Sequence, residues 1–248
     1  MTRFIRSIHH PLISHWVKLR DRSEERKAYN SVFLEGIKPV FEVCSHLKAH
    51  TLILEEETPW DQGSAYAEEV IYVSARIMRK ISSMESTEGV AAIFPLPAEE
   101  LLEGKKNLIA LDKVSDPGNV GALLRTALAL GWQGAFLIDG CCDPFNDKAL
   151  RAARGATFRL PLRTGSWQQL RLLMEKERYS ALAADIDGLP LPSYTAAERR
   201  VLVMGNEAIG LSCEARQLCQ RITIPLNGNM ESLNVAAAGA ILMYTLGV

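Results

Sequence analysis

Four short runs in the second half of the chain, at residues 108–112, 134–139, 180–185 and 201–205, are almost wholly apolar. Each stops at Asp or Gly before polar or helix-like sequence. A strand with one wet face alternates apolar and polar residues, so a continuous run implies burial on both faces. This predicts an α/β domain with a mostly parallel sheet over residues 107–248. In such sheets ligands collect at the carboxyl ends of the strands, which puts the strand-terminal loops first in any search for a site.

The preceding 100 residues read as a smaller α/β domain. Short strands are predicted at 32–34, 51–54 and 69–73, with a helix running from Gly36 through Val40 and Val43 to Leu47. Residues 1–30 carry Arg3, Arg6, Lys18, Arg20, Arg22, Arg26 and Lys27 against Asp21, Glu24 and Glu25. Leu12, Ile13, Trp16, Val17 and Leu19 lie near helical spacing. This is a basic amphipathic helix or a solvated charged face. Residues 55–69 hold six carboxylates and no basic residue, a surface loop and helix turned away from polyanions. Residues 95–106 read as a linker and a short helix.

The chain's 28 Lys and Arg against 29 Asp and Glu exclude a polycation that binds nucleic acid by bulk attraction, but not a local basic patch. Cys44, Cys141, Cys142, Cys213 and Cys219 form no C-x-x-C pair, so neither a zinc site nor a disulfide framework is expected. The N-terminus lacks the apolar core of a secretory signal. The uncharged stretch 232–248 is too short to span a bilayer and reads as a buried terminal helix.

Three loops concentrate the chemistry. In the first, the Asp116-Pro117-Gly118 turn opens a helix whose apolar stripe centres on Val120 and Leu124, leaving Arg125 off the core face. Arg125 is either a surface charge or a planar donor for phosphate or ribose. With only Gly118 and Gly121, the loop has neither G-x-G-x-x-G nor G-x-x-x-x-G-K-[ST], which argues against dehydrogenases, P-loop NTPases and glycine-loop methyltransferases. In the second loop the run 201–205 enters Gly205-Asn206-Glu207, with Gly210 beyond; Glu207 is an exposed turn residue or a site carboxylate. In the third, the extended Ile224-Pro225 and the Asn227-Gly228 turn precede Ser232, a helix cap or a site hydroxyl.

In this order the loops resemble the three signature motifs of the SpoU (TrmH-type) branch of the SPOUT RNA ribose methyltransferases. Asp116-Pro117-x-Asn119-Val120-Gly121-x-x-x-Arg125-x-Ala127 matches the first. Gly205-Asn206-Glu207-x-x-Gly210-Leu211-Ser212 matches the second, and Ile224-Pro225 through Ser232-Leu233-Asn234-Val235-Ala236 the third. The segment Leu150-Arg151-Ala152-Ala153-Arg154-Gly155-Ala156 fits a further family stretch, with Ala153 where Ser is common. Ala208 and Ala236 are small departures, and neither removes a side chain with an implied role. The resemblance extends more weakly over Asn30, Phe33 to Gly36, Ile81-Ser82 and Glu88 to Ala92, as in the substrate-binding domain that precedes many rRNA ribose methyltransferases.

The resemblance implies a deep trefoil knot, S-adenosylmethionine as cofactor, and a cytoplasmic homodimer that binds neither membrane nor metal. The implied reaction is methylation of a ribose 2′-hydroxyl in structured RNA, rRNA ahead of tRNA. It implies Arg125, Asn119, Glu207, Ser232 and Asn234 at the reaction. Met204, Gly205, Asn206, Gly210, Ile224, Leu226 and Leu233 would hold the cofactor. RNA contact is expected from Lys18, Arg20, Arg22, Arg26, Arg151 and Arg154, and from the acid-free segment 148–163 as a whole. Two other classes compete: a catalytically idle RNA-binding protein retaining the fold, and an ordinary nucleotide-binding α/β enzyme.

Overall fold

The computed structural model describes residues 2–56, 58, 60, 63–190, 197–228 and 231–247. Glu57 and Asp61 of the acidic stretch lie outside the described residues. The elements run β1 (Thr2–Ile5), α1 (Pro11–Asp21), α2 (Ser23–Tyr29), β2 (Ser31–Glu35), α3 (Ile37–Cys44), β3 (Ala49–Glu55), α4 (Gly63–Tyr66), β4 (Ala67–Val73), α5 (Ala75–Ile81) and β5 (Val90–Pro95). They continue with β6 (Asn107–Asp112), α6 (Pro117–Ala129), β7 (Gly134–Ile138), α7 (Asp147–Ala153), β8 (Leu162–Gly165), α8 (Trp167–Glu177), β9 (Ser180–Pro190), β10 (Arg200–Gly205), α9 (Cys213–Leu218), β11 (Gln220–Thr223) and α10 (Val235–Gly247). Two units form: Met1–Pro97 with Phe145–Phe158, and Ala98–Pro144 with Arg159–Val248.

The first unit is a five-stranded sheet in the order β1-β4-β3-β5-β2, in which β5 alone runs antiparallel to its neighbours. Ile13, Trp16 and Leu19 of α1 and Ile77, Met78 and Ile81 of α5 cover one face, against Phe33, Ile53 and Ile71. Val40 and Val43 of α3 and Leu150 of α7 cover the other, against Leu34, Leu52 and Phe94. The segment 145–158, expected within the C-terminal domain, thus packs with the N-terminal unit, Phe158 lying 5.4 Å from Phe94. Strand β1 has no counterpart in the sequence reading. It is an edge strand of four residues pairing with β4 alone, too short to show a period.

The second unit is an all-parallel six-stranded sheet in the order β11-β9-β10-β6-β7-β8. Its central strands β6, β7 and β10 are buried along almost their whole length, as their composition demands. Leu170 and Leu173 of α8 and Ala215 of α9 pack on one face with Leu108, Phe136 and Val203. On the other, α10 lies against α6 and β10. The helix expected after Pro97 does not form. The backbone there bonds elsewhere, Glu100 N to Leu162 O at 2.9 Å, and Leu102 takes φ +59° to bury its side chain in the core. No helix among the described residues is long and apolar enough to cross a membrane.

Helix α10 approaches closely because Gly239 has no side chain: a Cβ there would meet Leu123 Cδ2 at 2.3 Å. Trp132, 2 % exposed, locks the same contact by donating Nε1–H to the Met243 carbonyl at 3.2 Å. Gly239→Val should therefore overpack the α6–α10 seam and lower stability by about 1–3 kcal/mol. Urea unfolding followed by circular dichroism measures the drop, and an unchanged midpoint would contradict the packing described.

Candidate active site

Three strand-terminal loops meet at the carboxyl ends of β6, β10 and β11, and one carboxylate ties two of them. Glu207 Oε2 accepts from Ser115 N at 3.1 Å and Ser115 Oγ at 3.0 Å. Its Oε1 accepts from Asp116 N at 3.1 Å and Asn119 Nδ2 at 3.0 Å. Asn119 Oδ1 in turn accepts from Asn234 Nδ2 at 3.0 Å, bringing in the third loop. The Oδ1 of Asn234 accepts from Ala236 N and Ala237 N at the start of α10. Asp116 caps α6 by accepting from Asn119 N at 2.8 Å. Ser115, Asp116, Asn119, Glu207 and Asn234 therefore each have a defined partner.

The loop after β10 is fixed at both ends. Asn206 donates to Lys113 O at 2.7 Å and accepts from Ala208 N and Ile209 N. It also exchanges both backbone hydrogen bonds with Gly210. A Cβ on Gly205 would stand 2.7 Å from the Gly210 carbonyl carbon, and Gly210 itself has φ +71°, so this fold-back needs glycine at both positions. Asp112, 1 % exposed at the end of β6, anchors the far side by accepting from Ser212 N at 2.8 Å and Trp167 Nε1 at 3.1 Å.

These loops enclose a cavity of about 800 Å³. Of the expected site residues, Met204, Gly205, Asn206, Glu207, Gly210, Ile224, Leu226, Ser232, Leu233 and Asn234 line it. Asn119 stands behind Glu207 and Asn234 rather than on the wall. Arg125 projects from α6, exposed, with no hydrogen bond or ion pair to any described residue. Two further residues belong to the site and lie outside the expected set: Ser115, which gives two of Glu207's donors, and Asp185, a wall carboxylate held by Arg221 at 3.6 Å. The apolar run that stops at Asp185 was the available signal. A second cavity, about 700 Å³, opens at the opposite ends of β9 and β10 beside Glu177 and Arg199 and holds none of these residues.

The described wall has three carboxylates, Asp185, Glu207 and Glu231, one guanidinium, Arg216, and apolar surface from Met204, Ile222 and Leu242. It has no cluster of cations for a pyrophosphate. A cofactor with an adenine-like plane, positive charge and no phosphate fits this donor set, and S-adenosylmethionine is such a molecule.

The basic residues expected at RNA divide into two groups. Lys18, Arg22 and Arg154 are exposed. Arg26 is a correction: 3 % exposed, it donates Nη1 to the carbonyls of Leu19 and Arg20, so burial between the helices removes it from any surface. Arg20 bonds the carbonyls of Ile81 and Ser82, and Arg151 pairs with Glu35 and Asp147, so both guanidiniums already serve the fold.

Desolvation acts to raise the Glu207 pKa, but the Asn119 amide and the backbone N–H groups of Ser115, Glu207 and Asp116 outweigh it and hold it at about 2. A carboxylate with a depressed folded pKa stabilises above its unfolded value, about 4.3, and that contribution fades as pH falls through the folded value. Glu207→Gln should thus be less stable than the parent at pH 7, with the gap narrowing between about pH 4.5 and 2. Paired urea titrations across that range check the sign. A gap that widens in acid would contradict it.

Residues 106–244 match the model of the SpoU rRNA Methylase family, and residues 10–92 match an MRM3-like substrate binding domain. The chain is 30 % identical over 245 residues to the 23S rRNA (guanosine(2553)-2′-O)-methyltransferase RlmP of Bacillus subtilis, covering 98 % of each. Its structure is similar to that of an AdoMet-bound rRNA methyltransferase from Sinorhizobium meliloti, with TM-score 0.86, 26 % identity, and 99 % and 97 % of the two chains covered. The fold is also that of the SpoU methyltransferase AviRb from Streptomyces viridochromogenes, with TM-score 0.88, 22 % identity, and 96 % and 97 % covered. The loops joined by Glu207 are those that the family motifs mark, and this chain belongs to the SpoU rRNA methylase family.

Proposed function

We propose that this chain methylates a ribose 2′-hydroxyl of ribosomal RNA with S-adenosylmethionine, and that residues 1–100 select the RNA while 107–248 carry the reaction. The observation that carries this reading is the cavity walled by Glu207, Ser232 and Asn234, phosphate-free in character and set in a SpoU domain. The cofactor, when bound, supplies an electrophilic methyl on a sulfonium, already a good leaving group. The protein's share is to orient a hydroxyl, lower its proton affinity and exclude water.

Glu207 holds Asn119 and Asn119 holds Asn234, so their positions do not need to be organised during the reaction. Ser232 and Asn234 lie on the wall, where a ribose hydroxyl would enter. Arg125, with no hydrogen bond or ion pair to any described residue, is available for the nucleotide. A guanidinium stays protonated under ordinary conditions, so its fitting roles are to steady the developing alkoxide and hold the adjacent phosphate. Backbone around Gly205, Ile224, Leu226 and Leu233 would hold the cofactor, with Met204, Asn206 and Gly210 shaping that wall.

The trefoil knot and the homodimer belong to the same proposal. After β10 the chain passes to β11, outside β9, and α10 then lies back against α6 and β10, an order of elements suited to such a thread. Helix α10 has no charged residue and exposes Ile241 and Tyr244, 43 % and 64 %, on one face, as expected of a subunit contact. Tyr244→Glu should shift sedimentation from dimer to monomer. A cytoplasmic location is part of the same proposal.

Arg125→Ala should bind S-adenosylmethionine within about twofold of the parent by calorimetry. It should lose methyl transfer to rRNA from cells lacking the protein by about 10²–10³-fold. Ribose-methylation mapping of that RNA identifies the nucleotide, and normal turnover by the variant would remove Arg125 from the mechanism.

A further inference from the structure

Charge divides unevenly on the wall of the cavity beside Glu207: Asp185, Glu207 and Glu231 line it with one guanidinium, Arg216. Arg216 lies on α9, beyond Ser212, and belongs to none of the three loop motifs. Its Nε donates to the Leu211 carbonyl at 3.3 Å, and Leu211 is 6 % exposed. Its Nη2 lies 3.8 Å from where a Cβ on Gly210 would stand, so the guanidinium sits beside the glycine fold-back. The support is itself fixed, since Ser212 N bonds the buried Asp112 and Ala215 packs in the core.

An arginine anchored through Nε keeps both Nη groups for another partner. Among the described residues neither Nη group has a hydrogen bond or an ion pair, although three carboxylates share the wall. The planar fork matches a carboxylate with two parallel bonds. S-adenosylmethionine has two cationic groups, its sulfonium and its ammonium, and a single anionic one, the α-carboxylate. The acids of the wall suit the cations, and the carboxylate finds its complement there at Arg216. The same acids disfavour a phosphodiester as the partner of this guanidinium.

We propose that Arg216 takes the α-carboxylate of S-adenosylmethionine through its Nη groups, and so selects a cofactor with an intact amino-acid end. It rests on the reading of the chain as a methyltransferase that uses this cofactor. The overall field of the wall and a specific pair at Arg216 act in opposite directions. Removing the carboxylate raises the ligand's net positive charge, which a wall rich in acids would by itself favour. A fork bonded to that carboxylate makes the same removal costly. The sign of the preference therefore separates the two.

Calorimetric titration of the full-length protein with S-adenosylmethionine and with decarboxylated S-adenosylmethionine tests this. The parent should bind S-adenosylmethionine about tenfold more tightly than the decarboxylated analogue. Arg216→Ala should weaken S-adenosylmethionine binding about tenfold and bind the analogue at least as well as the parent does, so that the preference disappears or reverses. Arg216→Lys, which keeps the charge without the fork, should recover part of the loss. The comparison of the two ligands on the parent needs no variant, and it holds if Arg216→Ala fails to fold. A parent that binds both ligands alike or prefers the analogue would overturn the assignment, as would an Arg216→Ala variant that weakens both equally. So would unchanged S-adenosylmethionine affinity with weaker binding to rRNA, which would make Arg216 an RNA contact. A parent that binds neither ligand refutes the methyltransferase reading and the carboxylate contact with it. Binding of S-adenosylmethionine without a preference that depends on Arg216 refutes the carboxylate contact alone.

Discussion

The methyltransferase unit depends on one carboxylate held in a nest of donors. Glu207 takes hydrogen bonds from Ser115, Asp116 and Asn119, and Asn119 passes the constraint to Asn234. Charge-assisted bonds of this kind are stronger than neutral ones, and four converge on a single side chain. Without them, the loops after β6 and β10 would meet as two runs of unpaired polar groups. The carboxylate joins them at fixed spacing, and Asn234 joins α10 to the same network. A site assembled from distant stretches of sequence is thereby made as rigid as a site on one element.

What the sequence disclosed follows from how local each cause is. Burial on both faces is written residue by residue, so β6, β7 and β10 were legible from composition alone. The motif positions were legible too, because the turn at Gly205 and the cap at Asp116 need particular residue types locally. Arg125 could be placed on a helix but not assigned a partner, and the structure shows why: it has none within the described chain. The residues 98–106 misled because their helix-forming composition competes with long-range bonds to Leu162 and Glu177, which no local pattern reveals. Arg26 and Lys18 look alike in sequence. Only the packing of α1 against α2 decides that one guanidinium is sealed against backbone carbonyls while the other cation stays in water.

The same packing explains why Ser115 and Asp185 escaped notice. Ser115 is in no recognisable pattern and Asp185 only closes an apolar run; each matters because a partner lies far along the chain, Glu207 92 residues away for Ser115. Residue type shows that a group can bond, and only the fold shows with what. The strands' carboxyl ends narrowed the search to a few loops, and within those loops the hydrogen-bond partners completed the site.

Net charge also acquires a meaning that its value of −1 conceals. The cavity wall carries three carboxylates against Arg216, a field that favours a cationic cofactor and disfavours a phosphate. The acid-free turn 6–10 and helix α5 carry the opposite sign on the other unit. An RNA methyltransferase must bring a cation and a polyanion to one reaction without letting the polyanion occupy the cofactor's place. A wall with more carboxylates than cations meets the second demand, because it disfavours phosphate in the cavity. Arg125, exposed on α6 and without a hydrogen bond or ion pair to any described residue, has the right sign for the phosphate that the proposed reaction brings to it.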